Sequence, residues 1–192
     1  RLGIEFDTVN IDLFRYPTRL DAFAILFCSE GSISFTSGLR RHTLDAKMLF
    51  VLLPGSILQV ESIRPESSVY TVICEEEFIR RINIDIKNMM PLFLKFVENP
   101  ALTLTPEESR SMRGMIAQIE RETRGPETHF SFDIVSGLIA ATIYKVGDIM
   151  YHYLAEHPEG QNNSHNRAEE YFKQFTHLLG EHFREERSVG FY

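Results

Sequence analysis

Cysteine is scarce in this chain: Cys28 and Cys74 are the only two. Both lie in apolar runs, outside any CxxC pair and without the neighbouring His and Cys of a zinc site, so buried thiols are the favoured state. Nothing in the sequence supports a disulfide between them. Basic charge is also short. Twenty Lys and Arg face 27 Asp and Glu, for a net charge of -7 and a pI near 5.5. The chain therefore has no cationic surplus with which to displace counterions from phosphates, and by itself is expected to bind duplex DNA poorly. No window approaches the ~20 apolar residues of a membrane span, and the N-terminus lacks the basic-then-apolar order of a secretory signal. The expected location is the cytoplasm. The first residue is Arg1 rather than Met and the last is Tyr192, so both ends are read as interior points of a longer protein.

What is present is a chain of 192 residues, 43% apolar. That suffices for one core and a small appendage. Up to Cys74, short runs rich in Val, Ile, Phe, Thr and Ser alternate with Gly or Pro, which predicts strands over 4–14, 22–29, 32–36, 39–44, 48–53, 57–62 and 69–74. Ser29-Glu30-Gly31 and Ser37-Gly38 read as hairpin turns, and Pro54-Gly55 as a third. Many short strands joined by tight turns predict a sandwich or small barrel, because closure removes exposed edges.

The period changes after residue 75. Phe78, Ile79, Ile82 and Ile86 recur at helical spacing and predict a helix over 76–90, ended by Pro91. Thr105-Pro106-Glu107-Glu108 is a specific helix start, with Thr as N-cap, Pro at the first helical position and Glu returning the capping bond. Met112, Met115, Ile116 and Ile119 follow as one stripe, and Gly125-Pro126 stops the helix. A longer helix is predicted over 131–157. Val135, Ile139, Val146, Ile149 and Tyr153 mark one apolar face, while Ile134, Leu138, Ala141 and Tyr151 spread to a second. A surface helix buries only one such face, so one is expected to cover the strands and the other to meet a helix or a second subunit.

Residues 158–166, PEGQNNSHN, contain no apolar side chain and read as a flexible linker. Beyond it Asn166 and Glu169 have capping-box spacing, and Phe172, Phe175, Leu179 and Phe183 share one face of a further helix. The remaining sequence offers nothing to cover that face. Its partners lie further along the polypeptide, on the first domain, or on another chain.

Two stretches resemble AraC-type (AraC/XylS) bacterial transcription regulators. Residues 27–60, FCSEGSISFTSGLRRHTLDAKMLFVLLPGSILQV, are similar to the strand, EG turn, strand and later LPG turn of the family's cupin-like sensor barrel. Residues 172–192, FKQFTHLLGEHFREERSVGFY, are similar to the opening of its helix-turn-helix domain. The resemblance implies an α+β fold: a cupin-like β-barrel sensor over 1–75, a helical dimerisation part over 76–157, the linker, and the start of the DNA-binding domain over 167–192. The helix that would read bases in the major groove is not in this sequence. Lys173, Arg184 and Arg187 are candidate phosphate contacts. Four basic residues after Asn166 stand against five acidic ones, which favours plain solvation.

Metal-dependent cupin enzymes bind through a His-x-His pair, a Glu and a later His. Here the corresponding strands hold only His42, in Arg40-Arg41-His42, and no His follows Pro54-Gly55 in the barrel. His129, His152, His157, His165, His177 and His182 fall on helices or in the linker without paired spacing, and no GxSxG elbow occurs. No catalytic residue, metal site or cofactor is expected. A concave apolar barrel with a few polar groups suits a small molecule. Candidate pocket residues are Phe27, Phe35, Arg41, His42 and Gln59, the aromatics for contact and the others for orientation. For each aromatic alone, ordinary core packing is the more frequent role. Alternation leaves two inward sets open, since Phe23, Ile25 and Phe27 share a face, as do Ile33 with Phe35 and Gln59 with Glu61.

The expected function is ligand sensing and dimerisation in a transcription regulator, with an unidentified small-molecule effector, promoter DNA reached through the missing C-terminal part, and a homodimer formed through Val135, Leu138, Ile139, Thr142, Val146 and Ile149. The alternatives are a stand-alone cupin-type enzyme, an isomerase or dioxygenase with a helical extension, and a structural dimerisation module with a filled barrel.

Overall fold

The computed structural model describes residues 4–6, 14–82, 84, 95–96 and 100–156. Among these residues nine strands form two antiparallel sheets. The first, in the order β1 (Ile4–Phe6), β8 (Ser68–Glu75), β3 (Ala22–Glu30), β6 (Met48–Leu52), β9 (Ala101–Thr103), lies against the second, β2 (Thr18–Leu20), β7 (Ser56–Ile63), β4 (Ser32–Ser37), β5 (Arg40–Asp45). Three helices are seen among the described residues, α1 (Glu76–Arg81) before β9, and α2 (Pro106–Arg124) and α3 (Ser131–Glu156) after it. This is the cupin-like α+β architecture.

The turns do not all do what their sequence predicts. Ser37-Gly38 does close a hairpin, since Ser37 faces Arg40 across β4 and β5 and Gly38 takes a φ of 60°. Ser29-Glu30-Gly31 does not: β3 and β4 belong to different sheets, and Gly31 is the corner between them. Its φ is 76°, and an added Cβ would stand 2.1 Å from Ser67 Oγ, so the corner requires glycine twice over. Pro54-Gly55 is likewise a sheet-switching turn. Ser56 N–H donates to Leu53 O at 3.1 Å, with Pro at the second position and Gly55 at a φ of 87° in the third, the pattern of a type II turn. Between β3 and β8 only the β4–β5 connection stays in one sheet, and that repeated switching wraps the two sheets around one core.

That core comprises Ala24, Leu26 and Cys28 of β3, Phe50 and Leu52 of β6, Val69 of β8, and Ile33, Phe35, Leu44, Leu58 and Val60 from the facing sheet, with Leu20 of β2. Each fully buried aliphatic or aromatic side chain contributes about 1.5–3 kcal/mol of transfer free energy. The inward set of β3 is therefore Ala24, Leu26 and Cys28. Phe23, Ile25 and Phe27 point to the opposite face, yet they too are buried, so eight successive residues of β3 are hidden from solvent. A strand covered on both sides reads as an unbroken apolar run. The cover has the right composition in the helical part, where Met112, Ile116 and Ile119 of α2 and Val135, Ile139, Val146, Ile149 and Met150 of α3 are all buried.

α2 starts as expected: Glu108 N–H donates to Thr105 Oγ1 at 3.2 Å and Thr105 N–H to Glu108 Oε2 at 2.8 Å. α1 is shorter than its periodicity predicts. It stops at Arg81 because Ile82 turns to extended backbone, with φ -81° and ψ 135°. Two three-residue strands, β2 and β9, have no counterpart in the sequence reading. β9 pairs with β6 at Leu49↔Leu102, so the first sheet draws on a strand beyond residue 75, the predicted end of the barrel. Of the predicted first strand, 4–14, residues 7–13 lie outside the described residues; Ile4–Phe6 is a strand, and Phe14 packs on the core outside any strand.

Two compact units emerge, residues 1–151 and 152–192, with the boundary inside the last turns of α3. The linker at 158–166 and the helix at 167–192 lie outside the described residues, as does the Pro91 stop. Contrary to the sequence expectation, α3 is apolar enough, at mean hydropathy 1.3, to meet the length-and-composition criterion for a membrane span. Its buried stripe and its exposed Lys145–Asp148 ion pair suit a helix packed on a protein core.

Candidate functional site

The β4–β5 hairpin presents one ladder of side chains to the interior. Ile33 faces Leu44, Phe35 faces His42, and Ser37 faces Arg40. The inner end of this ladder is core and its outer end opens into a hollow of about 720 Å³. Ser37, Arg40 and His42 line the hollow on one side, Phe50 and Leu52 of β6 on another, with Phe96, Pro100, Ala101 and the Leu53–Ser56 turn completing the wall. The volume lies in the range of small-molecule sites.

His42 and Phe50, which line the hollow, rest on the fully buried Phe35. His42 stacks on Phe35 at 5.6 Å between centroids and meets Phe50 edge-on at 4.7 Å, while Phe35 and Phe50 form a T-shaped pair at 4.9 Å. Burial, and secondarily the charge of Arg40, hold the His42 imidazole below its ordinary value of 6.5, so it is uncharged at neutral pH. Ser37 and His42 have no side-chain hydrogen bond and Arg40 no ion pair among the described residues. One permanent cation and two neutral polar groups thus face a half-apolar hollow without partners among the described residues.

Nucleophilic chemistry finds little support here. The Cys28 thiol, buried in the barrel core near Asp45, is pushed up to about 11, and burial alone pushes Cys74 up to about 12. Both stay protonated at neutral pH, and the thiolate is the reactive form. Among the described residues no group of three His, Cys, Asp or Glu side chains converges to hold a metal.

Of the five sequence-predicted pocket residues, the structure brings Phe35 and His42 together. Phe27 is fully buried on the other face of its sheet, where it stacks with Tyr70 at 6.0 Å. Arg41 and Gln59 point outward by strand alternation. Arg41 pairs with Glu61, and Gln59 Nε2 donates to Arg15 O at 3.1 Å beside a second, outer hollow of about 600 Å³. Sequence reasoning missed Arg40, Ser37, Phe50, Leu52 and Phe96. Parity alone would have found the first two: once Phe35 and His42 face inward, Ser37 and Arg40 do as well.

The predicted dimer residues lie mostly on the buried side of α3. Val135, Ile139, Thr142, Val146 and Ile149 lie in the chain's own core, at 3% exposure or less, and Leu138 is half-buried. A side chain that already packs inside its own protomer is not open to a partner. The open side of α3 carries Ile134, Tyr144 and Tyr151 instead. Lys173, Arg184 and Arg187 lie outside the described residues.

Compared with curated protein sequences, the chain matches none. Among solved structures, the AraC-like transcriptional activator CuxR is 11% identical over 77% of this chain and 48% of its own, with a TM-score of 0.44. ToxT from Vibrio cholerae is 10% identical over 76% of this chain and 57% of its own, with a TM-score of 0.39. A cupin 2 conserved barrel domain protein from Salinispora arenicola is 23% identical over 34% of this chain and 56% of its own, with a TM-score of 0.30. The chain spans about half the length of these proteins. The family model for the AraC-like ligand binding domain matches residues 5–131, from β1 through α2, and on that match over most of its length the chain belongs to this family.

Proposed function

We propose that this chain is the effector-sensing and dimerisation region of a cytoplasmic AraC-type transcription regulator and has no catalytic role. A small molecule enters the hollow at the end of the β4–β5 ladder and shifts an equilibrium between arrangements of the dimer. The observation that carries this is the trio Ser37, Arg40 and His42, without partners among the described residues, in a 720 Å³ hollow of a domain whose family is named for ligand binding. Ser37 and His42 are half-buried and Arg40 is exposed, so all three are accessible to the hydrogen-bonding groups of a ligand.

The dimer forms through the open side of α3, where Ile134, Tyr144 and Tyr151 line up at helical spacing with Gly137 and Ala141 between them. Promoter DNA is reached through sequence beyond 166, with Lys173, Arg184 and Arg187 on phosphates. Replacing Ile134 and Tyr151 with Glu is expected to give a folded monomer by sedimentation. A dimer that persists places the interface elsewhere. A thermal-shift panel of sugars, amino acids and small acids tests the sensor, because a ligand held only by the native state at a hundred times its Kd adds about 2.7 kcal/mol. The enzyme alternative requires a stoichiometric metal in the purified protein, which elemental analysis measures.

A further inference from the structure

The charge of the hollow is one-sided. Among the described residues that line it, Arg40 is the sole permanent charge, and no Asp or Glu is present. Among the described residues Arg40 makes no ion pair, whereas its chain neighbour Arg41, one residue on and facing the other way, is held by Glu61. Around Arg40 stand a hydroxyl and an imidazole, each able to donate one hydrogen bond, and beyond them a wall of Phe50, Leu52, Leu53 and Phe96 that has no polar side-chain atom.

We propose that the effector is a small organic carboxylate, its head held by Arg40 with Ser37 and His42, and its apolar body lying against Phe50, Leu52 and Phe96. The assignment rests on the sensor function proposed above and narrows it. A carboxylate matches the planar fork of a single guanidinium and accepts two parallel N–H bonds from it. A phosphate monoester would bring close to two charges to one cation, and a sugar would leave the apolar wall against hydroxyls. The hollow holds far more than the head alone requires, so most of its volume is for the body. His42 joins as a neutral donor above the floor formed with Phe35 and Phe50, which fixes its ring plane.

The test is isothermal titration and thermal shift of the full chain with octanoate and 3-phenylpropionate. Their neutral counterparts are octan-1-ol and 3-phenylpropanamide, and glucose and inorganic phosphate complete the panel. At least one carboxylate is expected to bind roughly ten- to a hundredfold more tightly than its neutral partner, the ratio for a charge-assisted bond. Arg40→Gln, at an exposed position where folding is unaffected, removes that preference, whereas Arg41→Gln leaves it intact. Neutral compounds binding as tightly as acids, or undiminished acid binding in Arg40→Gln, overturns the carboxylate assignment while the sensor function stands. Preference for phosphate over both carboxylates overturns it too. No binding by any compound of either charge overturns both.

Discussion

The two faces of the sheet β2–β7–β4–β5 are built from the same strands and treat their polar residues in opposite ways. On the outer face Thr36 Oγ1 donates to Glu61 Oε1 at 2.8 Å, Arg41 pairs with the second oxygen of that carboxylate, and the hydroxyls of Ser34 and Thr43 lie 3.2 Å apart. On the inner face, at the mouth of the hollow, Ser37 and His42 are half-buried and Arg40 is exposed, as Ser34, Thr36 and Arg41 are outside, yet they have no such partners among the described residues. Exposure therefore does not separate the two faces, and the pairing of their side chains does. An unpaired polar face at a hollow is what the proposed sensing function requires.

The largest test of this contrast is at the floor. Phe35→Ala removes a fully buried ring together with its contacts to His42 and Phe50, and is expected to cost about 3–5 kcal/mol in urea unfolding. Ile57→Ala on the outer face, where the side chain is 45% exposed, is expected to cost less than about 1 kcal/mol. Equal costs would mean that the two faces have been exchanged. A smaller effect belongs to the outer ion pair. Glu61→Gln is expected to lower stability by at most about 1 kcal/mol, with the difference shrinking in high salt and effector binding unchanged. An altered effector affinity would move the site to the outer hollow.

How much of this was legible in the residues depends on how local the signal is. The capping box at Thr105 and Glu108, the Ser37-Gly38 hairpin and the long apolar α3 are written within a few positions, and each occurs where the sequence predicts. Gly31 and Pro54-Gly55 are equally legible as turns but not as sheet-switching corners, because whether the next strand pairs back or crosses depends on distant packing; at Gly31 that packing includes Ser67, 36 positions on. The site divides along the same line. Phe35 and His42 are neighbours across one tight hairpin and were found together. Phe50 and Phe96 reach the hollow only through long-range packing and were not. Phe27 misled because both faces of β3 are buried, so its apolar run carries no alternation from which to read a direction.

The finest distinction between the faces is in proton binding at His42. Its imidazole is held below 6.5 by burial first and by Arg40 second. Between that lowered value and 6.5 the unfolded chain binds more protons than the folded one, so stability rises with pH across this interval. The contribution is complete above 6.5 and is lost as pH falls toward the folded value. Subtracting the unfolding midpoints of His42→Gln from those of the unmodified chain, at steps from pH 7.5 to 4.5, isolates this residue from the other histidines. The difference is expected to turn against the unmodified chain below 6.5, and to do so less in an Arg40→Gln background, where the second cause is gone. Arg41→Gln, on the outer face, should leave the profile as it was. A bound carboxylate works in the opposite sense, since an anion beside His42 favours its charged form, and saturating effector should therefore flatten the acid limb or reverse it. If the limb is the same with and without effector, His42 does not face the ligand, and the open polar trio reduces to Ser37 and Arg40.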